Sequence, residues 1–318
     1  LPKLAASHPN SVWDNLYVQN FQIAYIFIAN LLASLATFIV LSPNYLSLGR
    51  KFDPVLWKKM MKYGLPILVA GLAFAVNEHF DKILLGYLLP ENLAKSEVGA
   101  YSACYKLGLF MVLFATAFRL GIEPFFFSHA KNENAPQTYA VITKYFVILG
   151  SLILLGVIVF ADVLKYLLLD NKSYWEAMKV VPLIILANFF LGIYNNLSVW
   201  YKLTDKTKIG AYISIVGAIV TLILNYLLIP KYSYYGSAIA TISAYGSMML
   251  ISYVLGNKYY PIPYDMNKIG AYLGVSILFS IISFYGFREK YYVGIPLLLV
   301  FMYMVYHFEK DTIKGIMK

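Results

Sequence analysis

Five polar or ionisable residues interrupt an apolar stretch of the sequence between residues 64 and 89. They are Asn77, Glu78, His79, Asp81 and Lys82. A charge in the middle of a membrane span costs about 2.5–3.5 kcal/mol, whereas each Leu, Ile, Phe or Val contributes only about 0.3–0.6 kcal/mol in return. This stretch is therefore a poor membrane span by itself, and its polar groups must face protein or water.

Most of these residues share one face of a helix with 100° per residue. An arc of about 140° contains Asn77, Glu78, Asp81 and Lys82, and His79 lies about 60° beyond it. Glu78 and Lys82 are spaced i,i+4, so one interpretation is an ion pair that only positions the helix. The other interpretation is the wall of a functional cavity, because ionisable groups inside a membrane are rare and usually functional.

Two further cations lie in the next apolar stretch, residues 99–127. We expect Lys106 at the same depth as Lys82, about 10 Å below the outer surface. Arg119 is spaced i,i+4 from Glu123 and is interpreted either as part of the cavity or as an interfacial residue that snorkels. Such cations suit an anionic solute, and the carboxylates suit a coupling proton or cation.

The composition predicts the elements that hold these residues. Of 318 residues, 60% are apolar and 13% are charged, whereas an ordinary soluble domain has about 25% charged residues. A bilayer core of about 30 Å takes roughly 20 apolar residues to cross. The stretches that meet this requirement are 20–42, 64–89, 99–127, 141–169, 180–201, 209–229, 235–256, 268–287 and 291–308. We predict an all-α integral membrane protein with about nine transmembrane helices.

The basic residues predict the orientation of these spans. One side of the membrane would hold 15 Lys and Arg residues and the other 8, so the richer side, which includes the C-terminus, is predicted to be cytoplasmic. Residues 43–63 lie on that side and are interpreted either as an amphipathic surface helix or as an ordinary basic loop. The N-terminal segment would then be outside, without a signal peptide, so we expect further helices to precede it.

The span at 180–201 carries amide and aromatic side chains. They are Asn188, Tyr194, Asn195, Asn196, Trp200 and Tyr201. These groups suit a sugar, with amides for its hydroxyls and rings for its apolar faces. Hydrogen bonds between helices and an aromatic belt at the membrane interface explain them as well, so both interpretations stay open.

The motifs of several enzyme classes are absent from the sequence. It has no phosphate-binding loop, no dinucleotide fingerprint and no metal-ligand spacing of His or Cys. Its single cysteine, Cys104, excludes an internal disulfide. The net charge of +10 comes from scattered basic residues, which fits membrane topology better than nucleic-acid binding. We therefore expect a transporter, not an enzyme, and predict no metal or cofactor.

Three stretches resemble the Wzx-type polysaccharide and O-antigen flippases of the multidrug/oligosaccharidyl-lipid/polysaccharide exporter superfamily. The first contains Asp81-Lys82 and continues into VGAYSACYKLG at 98–108. The second is EPFFFS at 123–128, and the third is LNYLLIPKYSYYGSAIATISAY at 224–245. In the third stretch, Ser233 stands where the family commonly has a glycine, which is a departure in local turn geometry.

The resemblance implies a fold of fourteen helices, with two six-helix lobes and two terminal helices. This chain would supply the sixth to fourteenth helices. Residues 1–63 would hold an outer segment, one transmembrane helix and the basic cytoplasmic segment, and 64–256 would form the C-terminal lobe. Residues 257–318 would hold two terminal transmembrane helices and a cytoplasmic tail.

The resemblance also implies an activity, which is translocation of an undecaprenyl-pyrophosphate-linked oligosaccharide across the bacterial cytoplasmic membrane by alternating access. Asp81 and Lys82 match the family's charged pair, and Lys106 matches a frequent basic position. Glu78 and Arg119 are added from the physical argument alone. The implied partners are the lipid-linked substrate, membrane lipids, a coupling cation or proton and other glycan-assembly proteins.

Other functions stay open at this point. A cation-coupled multidrug exporter of the same superfamily is one alternative. A membrane enzyme of glycan assembly, such as a polymerase or an acyltransferase, is another, and it would need an essential acid or base. A third is a structural scaffold, in which all the cavity charges would be replaceable.

Overall fold

The computed structural model of the protein describes residue 18 and residues 21–46, 52–169 and 171–316, without the side chains of residues 22, 23 and 311–316. Most of the predicted outer segment lies outside the described residues, as do Arg50 and Lys51 of the basic segment. The described residues are overwhelmingly helical and include no strand. The predicted all-α fold is confirmed.

The chain divides into two units, residues 1–59 and 60–318. In the first unit, helix α1 covers Gln22–Leu46. Helix α2 (Pro54–Leu88) begins in this unit and continues into the second. Asp53 starts α2, because its carboxylate accepts hydrogen bonds from the backbone N–H groups of Val55 and Leu56 at 2.9 and 3.1 Å, as an N-cap does.

The second unit contains the remaining helices. They are α3 (Glu91–His129), α4 (Ala135–Val159), α5 (Ala161–Leu168), a 3₁₀ helix (Lys172–Val180), α6 (Val181–Leu197), α7 (Val199–Leu203), α8 (Thr207–Tyr232), α9 (Tyr234–Tyr259), α10 (Met266–Ile281), a π-helical turn (Ile282–Gly286) and α11 (Tyr291–Ile316). Nine helical segments of the described chain are long and apolar enough to cross a membrane. This agrees with the nine predicted spans.

Several helix boundaries differ from the prediction. The second span was expected to start at Gly64-Leu65-Pro66, but α2 runs through Pro66 from its cap at residue 53, since one missing backbone donor does not end a helix that is otherwise well supported. Residues 54–63, which include Lys58, Lys59 and Lys62, therefore form the first turns of α2. Their placement on a membrane surface stays a prediction. The fourth predicted span, 141–169, ends at Val159 and is followed by the separate helix α5.

Helices α4 and α6 approach each other closely at two glycines. An added Cβ at Gly192 would lie 2.6 Å from the ring of Phe146, and an added Cβ at Gly150 would overlap the ring of Phe189. Both rings are buried in the largest apolar core of the unit, which also includes residues of α3. The two rings therefore fit into spaces that a larger residue would fill.

A buried carboxylate joins α11 to two other helices. Glu309 accepts hydrogen bonds from Lys144 Nζ of α4 at 2.5 Å, and from Lys268 Nζ and the Tyr272 hydroxyl of α10 at 3.0 and 2.9 Å. Glu309 is fully buried. We call these four residues the α11 cluster.

A second ionic cluster lies on segments that connect the membrane-length helices, where α5 meets the residues just before α11. Asp162 accepts hydrogen bonds from Lys165 Nζ at 2.6 Å and from Arg288 Nη2 at 2.9 Å. Lys165 also pairs with Glu289 at 3.0 Å. We call these residues the α5 cluster.

The turn between α8 and α9 carries the departure from the family pattern at Ser233. Its φ is 51° and its ψ is −133°, a region that is favourable for glycine and strained for other residues. The Ser233 hydroxyl donates a 2.5 Å hydrogen bond to the carboxylate of Glu97 in α3. The turn is thus strained locally and held by a contact with α3.

Candidate functional site

The polar face of α2 meets three different helices. Asn77 is fully buried, and its Oδ1 accepts a 2.6 Å hydrogen bond from the Thr221 hydroxyl of α8. The Glu78 carboxylate accepts a 2.8 Å hydrogen bond from the Tyr245 hydroxyl of α9. These two contacts fix how α2 is rotated about its axis.

The fully buried carboxylate of Asp81 lies against α3. Its Oδ1 accepts the backbone N–H of Lys82 at 2.7 Å, and its Oδ2 accepts the Tyr105 hydroxyl of α3 at 3.2 Å. The nearest ammonium, Lys82 Nζ, is 3.7 Å from Oδ1. Asp81 is therefore anchored mainly by a backbone group and a phenol.

The ammonium of Lys82 has only loose partners. Besides Asp81, it lies 3.3 Å from the backbone oxygen of Glu78 and 4.0 Å from the centroid of the Tyr105 ring, which is a cation–π distance. The Lys82 side chain remains 26% exposed. The Glu78 carboxylate and the Lys82 ammonium do not form the predicted ion pair, because the Glu78 side chain turns to Tyr245.

Lys82 lines a large open hollow between α2 and α3. The hollow has a volume of about 1270 Å³ and also exposes Lys95, Glu91, Asn92 and Ser102. We call it the outer hollow. Lys82 and Lys95 give it two cations against the single carboxylate of Glu91, so the hollow has an excess of positive charge, which suits an anionic group.

Lys106 does not join Lys82 in the outer hollow. It is exposed, and its Nζ lies 3.4 Å from the backbone oxygen of Leu168 at the end of α5. Equal depth was the basis for the prediction, but Lys106 reaches towards α5 and not towards α2. The structure therefore does not bring these two lysines together.

A smaller cavity of about 240 Å³ lies between α2, α3 and α6. Aliphatic residues of α3 and α6 form part of its wall, together with Phe74 and the polar residues Glu78, Thr116, Arg119, Asn188 and Asn195. We call it the inner cavity. It brings together two predicted site residues, Glu78 and Arg119, and separates them from Lys82.

The predicted pair between Arg119 and Glu123 is not the one that forms. Glu123 instead accepts a 2.5 Å hydrogen bond from Lys202 Nζ of α7. Arg119 is exposed and has no ion pair among the described residues. The neighbouring helix supplies a better-placed cation for Glu123, so Arg119 is left to line the inner cavity.

His79 lies apart from both cavities and is exposed. No group of three or more potential metal ligands of the His, Cys, Asp and Glu types occurs within the described part of the chain. Among the amide and aromatic residues of the fifth span, five make internal hydrogen bonds: Asn188 to Ile184, Asn196 to Gly192, Trp200 to Ser252, and Tyr194 to Tyr201. The bonds of Trp200 and of Tyr194 with Tyr201 join different helices, whereas those of Asn188 and Asn196 lie within α6. Asn188 and Asn195 also line the inner cavity.

The residues of the site that the sequence did not single out include Lys95 and Tyr245. Lys95 lies on the same face of α3 as Gly99 and Ser102, at the spacing of a helix face, but the predicted span began only at residue 99. Tyr245 is 167 residues from Glu78, and no local pattern connects them.

Comparisons with known proteins bear on the fold and the family. No curated protein matches the chain. Among solved structures, the lipid II flippase MurJ in its inward closed conformation is similar, with a TM-score of 0.61 and 16% sequence identity. The match covers 89% of this chain but 61% of the flippase chain, so this chain spans less than two thirds of that protein's length. The similarity at this identity concerns the fold. The MatE family model matches residues 66–227, which is more than half of the 318 residues, and the chain therefore belongs to the MatE family.

Proposed function

We propose that this chain is part of a flippase that moves a lipid-linked oligosaccharide across the bacterial cytoplasmic membrane. The observation that carries the proposal is the outer hollow, in which Lys82 and Lys95 face one open space of about 1270 Å³. Membership of the MatE family and the fold shared with a lipid II flippase support it. The proposal also specifies a flippase of the Wzx type and an undecaprenyl-pyrophosphate-linked substrate. The motifs around Asp81-Lys82 and at 224–245 support these two assignments.

The geometry assigns different roles to the residues of the outer hollow. Asp81 and the Tyr105 ring hold the Lys82 ammonium at the wall of the hollow, but neither saturates its three donor positions. Lys82 and Lys95 then bind the pyrophosphate, because charge-assisted hydrogen bonds to phosphate are strong. The lipid tail stays in the bilayer, and rocking of one half of the transporter against the other exposes the headgroup to the opposite side.

The test is complementation of a flippase-deficient strain by the complete protein that contains this chain. Lys82→Ala is expected to reduce surface glycan by at least about tenfold, since about 1.4 kcal/mol of lost binding is tenfold in affinity, while lipid-linked precursor accumulates. Lys106→Ala is the matched control, because Lys106 is a cation on α3 outside the outer hollow. Full surface glycan with Lys82→Ala at equal membrane abundance would contradict the proposal.

A cation-coupled multidrug exporter is the second candidate. The specific observation in its favour is a carboxylate in the inner cavity, Glu78, since a cationic drug needs a negative group there. In that case Glu78→Gln would abolish resistance to cationic drugs, and Lys82→Ala would leave it intact. The flippase proposal expects neither variant to change drug resistance.

A further inference from the structure

We propose that the inner cavity is a subsite for a neutral sugar, separate from the outer hollow in which the phosphate groups bind. The sugar would belong to the oligosaccharide of the lipid-linked substrate, so the assignment rests on the proposed function for the source of its ligand. The residues that line the cavity indicate the chemistry of the ligand.

The charges that line the inner cavity cancel. Glu78 contributes one negative charge and Arg119 one positive charge. A free anion would face the Glu78 carboxylate, and a free cation would face the Arg119 guanidinium, so an ionic ligand has no clear advantage over water. The charge balance favours a ligand that is polar and uncharged.

The hydrogen-bonding groups of the cavity match hydroxyls. Arg119 only donates and a carboxylate only accepts, whereas the amides of Asn188 and Asn195 do both. A sugar hydroxyl also donates and accepts, so it can bind each of these groups in turn. Tyr245 occupies one oxygen of the Glu78 carboxylate, which leaves that carboxylate further acceptor capacity.

The amide of Asn188 leaves one polar atom for a ligand. Its side chain is 3% exposed, and its Nδ2 donates a 2.9 Å hydrogen bond to the backbone oxygen of Ile184. Within the described part of the chain, its Oδ1 has no hydrogen-bond donor. Asn195 lines the same cavity and its side chain makes no hydrogen bond to the described residues. Both residues line the cavity with amide groups that are not fully used inside the protein, so these groups are available to a ligand hydroxyl.

The size of the cavity and one aromatic ring also fit a sugar. A volume of 240 Å³ corresponds to about eight water molecules at roughly 30 Å³ each, which is the size class of a single sugar ring. Phe74 of α2 lines the cavity and remains 38% exposed. Its ring offers an apolar surface for the C–H face of a sugar, beside the amides that bind the hydroxyls.

The test compares two lipids on the protein in nanodiscs, undecaprenyl pyrophosphate and the same lipid carrying one N-acetylglucosamine. We expect the sugar-bearing lipid to bind about tenfold more tightly, as a few new hydrogen bonds of about 0.5–1.5 kcal/mol each would give. Asn195→Ala and Phe74→Leu should each reduce this ratio to below about threefold. Asn257→Ala is the matched control, since Asn257 is exposed at the end of α9, and it should keep the ratio. Lys82→Ala should weaken the binding of both lipids and leave the ratio of their affinities unchanged.

Each remaining result decides the assignment. Equal binding of the two lipids by the unmodified protein overturns the sugar subsite and leaves the flippase proposal standing. Binding of neither lipid contradicts the flippase proposal, and the subsite is then decided by saturation-transfer NMR with methyl N-acetylglucosaminide. Transfer that Asn195→Ala abolishes and Asn257→Ala preserves supports a sugar site, and no transfer to the unmodified protein overturns it.

Discussion

Asp81 in α2 and Glu309 in α11 are both fully buried carboxylates in membrane-length helices, but their surroundings differ. Glu309 accepts hydrogen bonds from two ammonium groups and a phenol, all within 3.0 Å. The nearest ammonium to Asp81 is that of Lys82, which is 3.7 Å away, and the Lys82 side chain is partly exposed to the outer hollow.

The difference separates a structural ion cluster from the proposed binding site. In the α11 cluster, three donors from α4 and α10 satisfy the Glu309 carboxylate, which therefore joins these helices to α11 and needs no further partner. Around Asp81 the charges are close but incompletely paired, and the cation is accessible from an open space. Incomplete pairing is what a binding group needs, because saturated charges gain little from a ligand.

The largest expected effect is on the α11 cluster. Glu309→Ala leaves Lys144 and Lys268 without their shared counter-charge, and removal of one partner from a buried ion pair costs about 3–5 kcal/mol. Denaturation in detergent should show this loss as a lower free energy of unfolding. The comparison variant Asp81→Asn keeps one oxygen for the Lys82 backbone N–H, and its NH2 group can donate to the Tyr105 hydroxyl oxygen, so it should cost no more than about 1 kcal/mol. Equal losses in the two variants would remove the distinction drawn between the clusters.

A smaller effect, which depends on pH, is expected at the α5 cluster. Burial acts to raise the pKa of Asp162, but hydrogen bonds from Arg288 and Lys165 outweigh it and lower the pKa below its ordinary value of 3.8. The group is therefore ionised more easily in the folded state, so its contribution to stability is present above pH 3.8 and is lost as the pH falls through the lowered pKa.

Asp162→Asn should accordingly lower the free energy of unfolding at pH 7 by about 2 kcal/mol, the range of hydrogen bonds to charged groups. The difference between variant and unmodified protein should shrink as the pH falls below 3.8. Unfolding curves at pH 3, 5 and 7 measure it. A difference that is independent of pH would mean that the Asp162 charge is not what stabilises the cluster.

The smallest effect is expected at a third carboxylate, Glu97, whose partner is the neutral hydroxyl of Ser233. Ser233→Ala removes the hydrogen bond and keeps the strained backbone, so it should cost about 1 kcal/mol. Ser233→Gly also removes the bond but relieves strain of about 1–3 kcal/mol, so it should be neutral or stabilising by up to about 2 kcal/mol. A glycine variant less stable than the alanine variant would contradict this account of the turn.

The sequence was sufficient to predict the spans and the polar face of α2. A membrane span needs only enough consecutive apolar residues, and a helical face needs only a period of 3.6 residues, so both are local properties. The same local argument was wrong for two ion pairs at i,i+4 spacing. Glu78 and Glu123 found partners on other helices, Tyr245 and Lys202.

The partners of these carboxylates depend on how the helices pack, which no local pattern contains. Tyr245 is 167 residues from Glu78, and Lys202 is 79 residues from Glu123. The division of the predicted cavity into an outer hollow and an inner cavity has the same origin. Tyr245 draws the Glu78 side chain away from Lys82, so the two halves of one predicted polar face line different spaces.

The glycines at the contact of α4 and α6 have a consequence for motion. The rings of Phe146 and Phe189 occupy the space beside Gly192 and Gly150, so axial sliding of one helix along the other would push a ring against a larger neighbouring residue. Interlocked helices of this kind resist shear, and shear is one of the two common ways in which packed helices move. For the proposed alternating access we therefore expect hinge rotation that carries α4 and α6 together as one rigid body.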